Sequence, residues 1–464
     1  MSATTISHLR KFWRVSMVKG PGGLSRLLPI AIPMVISQLF DTTMTFIDRL
    51  FLSYVSPLAM AACMTGGITA FLCANIIFGL VSYSATLVAH RYGAAKHKEC
   101  PLVIMQALWL ALASYPFVLI VGFFVAGIFN HVGHTPEQIA LELSYYRIMI
   151  FATILGLLRA AFCGFFAGIG KTRVIMIGNT AALVTNVIGN YVLIFGKCGF
   201  PALGIVGAAL GTALATGVMM IVMGFAFWIH VRQSPYRGMP LFRIDWSILR
   251  QLIRYGFPSG FEGFSGLLGF GIVIMMLHSI SEEVASAVTM VYNWELFSFF
   301  PMLGVQIAVA ALVGQNIGAR NIKGARQSVR SGLTLVMGYT AILIFFFVAI
   351  PHLLLTPFTQ KASPEIIELA VPMMRLMALY IALDGASLVI SGALRGAGDS
   401  FWAMMIGLMF HIIMVVVCAI TIYGTKSAPL TVWFFLCASI CMGTVMYGIR
   451  YRLGHWQKIN LSVA

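Results

Sequence analysis

Five carboxylates, Asp41, Asp48, Glu262, Glu295 and Asp384, fall inside long apolar stretches of a 464-residue chain whose charged content is only 9%. On insertion scales a charged side chain at the centre of a membrane-spanning helix costs roughly 2.5 to 3.5 kcal/mol, so an acid kept there needs a partner, a proton or a water-filled cavity. Each of the five is therefore a candidate for holding an ion or a substrate.

Gln38, Asp41, Thr45 and Asp48 follow one another at intervals of 3, 4 and 3 residues. At 100° per residue they share an arc of about 80°, a narrow polar stripe on an apolar helix. A stripe facing lipid is expensive, so Gln38 and Asp41 should line a cavity. Further on, Asn186 and Asn190 share a helix face at i, i+4, and Thr212 lies in the next apolar stretch. Packed beside Asp48, these side chains would surround a small hard cation, which prefers oxygen ligands. Without an acid nearby, the two asparagines would serve equally well to hydrogen-bond between helices.

In the second half of the chain Glu262 has Ser259 and Ser265 one turn to either side, and Asp384 has Tyr380 before it with Ser387 and Ser391 after it. If the two stretches converge, Glu262, Tyr380 and Asp384 form a second cation site. Two close carboxylates in a low dielectric must hold a proton or a cation between them. The alternative is a structural ion pair with Arg375 or Arg159. Asn293, Trp294 and Glu295 form an aromatic and acidic run suited to an organic cation through charge and ring face; a buried acid hydrogen-bonded across helices fits Glu295 as well. His131 and His134 have no further ligands for a metal. Arg49, beside Asp48, snorkels or pairs locally.

The elements that must position these residues are membrane helices. The chain is 60% hydrophobic, with 45 Gly, 34 Phe and 27 Met, and its mean hydropathy is +0.93. About 20 apolar residues span a bilayer as a helix, and twelve such spans are predicted, at 27–53, 58–89, 101–128, 140–168, 173–195, 203–231, 252–280, 285–313, 331–357, 364–394, 401–423 and 429–449. The basic first 26 residues lead into a run that contains Asp41 and Asp48 and has no small-residue cleavage site, so it reads as the first span and not as a removed signal. The eight cysteines show no metal-ligand spacing and read as packing residues.

The net charge of +16 follows loop alternation, not a nucleic-acid surface. Lys and Arg cluster at the amino end (Arg10, Lys11, Arg14, Lys19, Arg26), in every second connection and at the carboxyl end (Arg450, Arg452, Lys458), while the intervening connections hold only Lys197, Lys361 and Lys426. The positive-inside rule then places both termini in the cytoplasm.

The chain also repeats itself. At an offset of 225, Pro33 falls on Pro258, and Val88-Ala-His-Arg-Tyr-Gly93-Ala94 falls on Val313-Gly-Gln-Asn-Ile-Gly318-Ala319. At an offset of 228, Arg147 falls on Arg375, Gly164 on Gly392, and Gly168-Ile-Gly170-Lys-Thr172 on Gly396-Ala-Gly398-Asp-Ser400. The predicted fold is an all-α integral membrane protein of twelve transmembrane helices in two six-helix pseudo-symmetric lobes, 1–231 and 252–464, joined by a cytoplasmic linker at 232–251 and facing a central cavity. None of the five acids falls on another acid under either offset. They belong to function on a shared frame, not to the frame.

Several of these motifs, in this order, resemble the multidrug and toxic compound extrusion (MATE) transporters, in their NorM-like branch. They are Pro33 through Phe46-Ile-Asp48, the Gly-Ala pairs at 93–94 and 318–319 with basic residues after them, Asn186-x-x-x-Asn190, Gly204-x-x-Gly207-Ala-Ala-x-x-Thr212 and Leu394-Arg-Gly-Ala-Gly398-Asp399. The resemblance covers nearly the whole chain. It implies a cation site at Glu262, Tyr380 and Asp384, a first-half polar site at Asp48, Asn186, Asn190 and Thr212, and efflux of cationic or amphipathic compounds by Na⁺ or H⁺ antiport. Asp41 and Glu295 depart from the family pattern, where neutral residues are expected, and put the usual substrate range in question.

The expected function is drug-resistance efflux by alternating access in a bacterial inner membrane. Small organic cations and membrane lipid are the expected partners, with no nucleic acid, no cofactor beyond the coupling Na⁺ or H⁺, and a monomeric state. The rival reading is a flippase or exporter of a lipid-linked or dedicated metabolite; lipid-linked sugars are anionic, and the acids argue against those. An enzyme would need a nucleophile with its base or a metal constellation, and the sequence offers neither.

Overall fold

The computed structural model describes residues 18–131, 133–233, 235–237, 242–356, 364–459 and 461. Arg10, Lys11, Arg14, Lys361 and linker positions 234 and 238–241 lie outside the described residues. Among the described residues twelve helices are long and apolar enough to cross a membrane: α1 Leu24–Ser53, α2 Pro57–Gly93, α3 His97–His131, α4 Pro136–Gly168, α5 Thr172–Phe195, α6 Ile205–Val231, α7 Trp246–His278, α8 Glu282–Gly318, α9 Ile322–Ala349, α10 Glu365–Ala397, α11 Ser400–Gly424 and α12 Pro429–Leu453. Large apolar side chains such as Phe123, Phe225 and Phe345 are exposed. In a chain of this composition that surface meets lipid.

Local chemistry sets the helix ends. Ser56 and Thr135 cap α2 and α4 through their side-chain oxygens, each followed by a proline at the first helical position. The ninth span departs most from its predicted 331–357. Asn321 caps α9 by accepting from Gly324 N at 2.9 Å, so the helix begins at Ile322 and carries Lys323, Arg326 and Arg330 in its first turns, ahead of the apolar run. Hydropathy marks the apolar run and not the helix end.

Contacts divide the chain differently from the expected lobes 1–231 and 252–464. Ile36–Phe261 form one compact unit, joined by Leu461, and the described part of Met1–Val35 joins Glu262–Asn460 in the other. The first part of α1 thus belongs to one unit and the rest to the other, and α7 is divided in the same way. Pro33 and Pro258 precede the two crossover points. Proline removes one i→i−4 backbone bond and lets a helix change direction. The segment read as a linker is docked in the Ile36–Phe261 unit: Gln106 donates to Arg243 O at 2.8 Å and accepts from Asp245 N at 3.0 Å, and Arg91 donates to Gln251 at 3.2 Å.

Both units make the same contacts at positions related by the repeat. Gly79 of α2 lies so close to Gly260 of α7 that a β-carbon on either would overlap the other helix's backbone, and Gly304 of α8 lies in the same way against Val35 of α1. Adding 225 carries 79 to 304 and 35 to 260, so this is one contact made twice with the partners exchanged. Gly168 and Gly396 rest on the carbonyl oxygens of Ala85 and Ala310, positions related by 228 and 225. The turns repeat as well. Gly170 and Gly398 take φ of +79° and +97°, a region that costs an ordinary L-residue energy, and the following Lys171 N and Asp399 N reach back to Phe166 O and Leu394 O at 2.8 and 2.9 Å.

Candidate functional site

In the Ile36–Phe261 unit the sequence-predicted first-half site assembles around Asp48, which is only 5% exposed. Asn186 and Asn190 sit one turn apart on α5, so both amides face the same side. Asn186 Nδ2 donates to Asp48 Oδ1 at 3.0 Å, and Asn190 Nδ2 donates to the same oxygen. Thr212 of α6 donates its hydroxyl to Oδ2 at 2.8 Å. Asn190 Oδ1 is buried without a hydrogen-bond partner, and a β-carbon at Gly211 would fill the space it occupies. An orphaned buried carbonyl oxygen beside a carboxylate and a hydroxyl offers the oxygen donors that a small cation takes. Tyr145 and Cys63 also border this group; no spacing in the sequence points to either.

Asp41 does not share that environment. Its Oδ1 lies 3.5 Å from Arg159 Nη1 of α4, with side chains 35% and 28% exposed. Gln38 is half-buried and Thr45 exposed on the same helix, so the stripe grades from open at its middle to closed at Asp48.

In the Glu262–Asn460 unit the acids regroup. Glu295 of α8 lies within electrostatic reach of Asp384 and beside Tyr380, both on α10. Glu295 Oε2 and the Tyr380 hydroxyl are buried with no hydrogen-bond partner. Glu262 does not join this group through any hydrogen bond or ion pair among the described residues. Its Oε1 accepts from the Tyr447 hydroxyl of α12 at 2.9 Å, and its Oε2 lies 3.8 Å from Arg395 Nε. Arg395 follows Asp384 by eleven residues on the same helix, about 16 Å along its axis. The expected cluster of Glu262, Tyr380 and Asp384 is thus two groups: Glu295 takes the place beside Tyr380 and Asp384, and Glu262 carries an ion pair of its own. Neither arginine considered as its partner is used, because Arg159 faces Asp41 and Arg375 is exposed.

Asn293, Trp294 and Glu295 do not share one face of the helix. Consecutive helical residues point 100° apart, and only Glu295 turns toward α10. Trp294 Nε1 donates to Leu354 O at 3.0 Å while its ring packs on Phe297 and Phe347; Asn293 is exposed and donates to Thr289 O at 2.8 Å. His134 binds Glu142, with Nδ1 to Oε2 at 3.1 Å, and among the described residues no group of three or more His, Cys, Asp or Glu is placed to hold a metal. Asp399 of the Leu394–Asp399 motif makes a bidentate pair with Arg450 at 2.8 and 3.0 Å, which ties α12 to the end of α10.

Twelve membrane helices from a duplicated frame, each half with its own buried acid site, define a membrane transporter. A profile of the MatE family matches residues 33–192 and 258–420, and the chain belongs to that family, one of transporters and not of enzymes. It is 27% identical to a probable multidrug resistance protein NorM of Synechococcus sp., covering 83% of this chain and 84% of that protein. It is also 27% identical to multidrug resistance protein PmpM of Pseudomonas aeruginosa, covering 84% and 81%, and 26% identical to a probable NorM of Bacillus subtilis, covering 94% and 96%. Among solved structures it is similar to a MATE protein in the bent conformation, at a TM-score of 0.84 and 18% identity over 97% of this chain and 98% of that one. A MOP superfamily transporter from Pyrococcus furiosus, described as having a binding pocket of reverse polarity, gives a TM-score of 0.85 at 18% identity over 96% and 98%. At that identity the likeness speaks for the fold alone.

Proposed function

We propose that this transporter is a secondary multidrug antiporter that exports cationic or amphipathic organic compounds from the cytoplasm by alternating access, in exchange for inward-moving Na⁺ or H⁺. The observation that carries the reading is the group of Glu295, Tyr380 and Asp384. Two carboxylates lie within electrostatic reach of each other between apolar helices, and neither is ion-paired with a lysine or arginine among the described residues. Such a pair must take up a proton or a cation. Asp48, Asn186, Asn190 and Thr212 supply a second set of oxygens for the coupling ion. The names of the relatives support drugs as the cargo, and the basic connections support a bacterial inner membrane with both termini in the cytoplasm.

A coupling ion does work only if it binds the inward- and outward-open states differently. One charge moving through 100 mV releases about 2.3 kcal/mol, enough for a gradient of roughly fiftyfold. The test is uptake of a fluorescent organic cation into inverted vesicles carrying the full chain, with a Na⁺ or an H⁺ gradient imposed one at a time. Accumulation driven by one ion is the expected result. Binding of a polyprenyl pyrophosphate in preference to organic cations would favour export of a lipid-linked metabolite instead.

A further inference from the structure

Asp41 and Arg159 lie within the apolar lengths of α1 and α4, and their pairing is loose. A guanidinium carries five N–H donors in a planar fork, and a good carboxylate pair closes at about 2.7 to 2.9 Å with two bonds. Here a single contact of 3.5 Å joins Nη1 to Asp41 Oδ1. The same Nη1 turns to the Met219 sulfur at 3.2 Å, a weak acceptor, and Nε is buried with no partner. About a third of each side chain remains accessible. Charged groups facing hydrocarbon would be costly, so the accessible parts belong to a wetted face.

The pair is electrically neutral as a whole, so it attracts a simple cation far less than a lone aspartate would. A ligand with an ammonium and a carboxylate a few ångströms apart does better: its cation meets Asp41, its carboxylate takes the spare donors of Arg159, and one loose contact becomes two matched ones. We propose that Asp41 and Arg159 form a subsite for zwitterionic organic compounds, with Arg159 reading the anionic group. This names a substrate class for the export activity proposed above and rests on that reading, but its first readout is binding.

Rhodamine 110 and its methyl ester, rhodamine 123, share one cationic ring system and differ by a free carboxylate. Fluorescence anisotropy with the purified full chain in nanodiscs should show the free acid bound tighter by about tenfold or more, the worth of one hydrogen bond between charged groups. Arg159→Gln should remove that preference and leave the ester's affinity within about twofold; Arg159→Lys should keep part of it; Asp41→Asn should weaken both dyes. Equal binding by the unaltered protein, a preference that survives Arg159→Gln, or a loss of both dyes alike in that variant would overturn the proposal. If the binding preference holds but neither dye moves under either ion gradient, the subsite stands and the export reading falls.

Discussion

Asp48 receives hydrogen bonds from Asn186, Asn190 and Thr212, whereas Glu295 and Asp384 lie within electrostatic reach of each other beside the Tyr380 hydroxyl. The charge of the first is met by neutral donors; the second pair depends on what it binds. Asp384→Asn and Glu295→Gln should each abolish ion-driven export while protein still reaches the membrane at normal abundance, and drug efflux from cells expressing each variant checks this. Glu262 makes a different prediction. Because Glu262 pairs with Arg395 at 3.8 Å, Glu262→Gln removes the carboxylate from beside a partly buried guanidinium, and the double variant Glu262→Gln/Arg395→Gln should recover about 1 kcal/mol of the stability lost. Thermal unfolding of the single and double variants in detergent measures that coupling. In the sequence the acids were visible as a cost to insertion, and the spacing of Asn186 and Asn190 gave the Asp48 group. Of the two roles open to Glu295 in the sequence, the buried acid reaching across helices fits its place beside Tyr380 better than a joint face with Asn293 and Trp294. Tyr447 lies 185 residues beyond Glu262, a pairing that no local pattern encodes.

Helix crossings carry the duplicated frame. Gly79 and Gly304 occupy equivalent positions, each against the backbone of a helix from the far end of the repeat. Gly79→Ala and Gly304→Ala should therefore cost similar amounts, about 1 to 3 kcal/mol each by overpacking, while Gly338→Ala, where nothing lies within 4 Å, should be neutral. Unfolding midpoints of the three variants compare them directly. The two offsets, 225 and 228, were legible because turns need particular residues: Gly170 and Gly398 hold a positive φ, and a sequence comparison sees them. The exchange of helix parts at Val35 and Phe261 was not legible. Hydrophobicity records that a helix is buried in a membrane but not which neighbours bury it.

Orientation is a property of the whole molecule, and Cys198 gives access to it. It is the one exposed cysteine among the eight, the others being buried or half-buried, and it lies in a connection expected outside the cell. A membrane-impermeant maleimide should label it in intact cells, and Cys198→Ser should remove the signal; labelling that appears only after permeabilisation would reverse the assigned topology. The division of α1 and α7 also bears on how the chain is made. Ribosomes deliver it from the amino end, so Leu24–Val35 reach the membrane before the rest of α1, yet the unit they complete resumes at Glu262. The other unit begins at Ile36 and is not closed until Phe261 has emerged. Neither unit is a contiguous length of gene. A nascent chain halted between α6 and α7 holds six helices and no finished fold, so the cell's insertion machinery must carry an incomplete first unit until the seventh helix arrives.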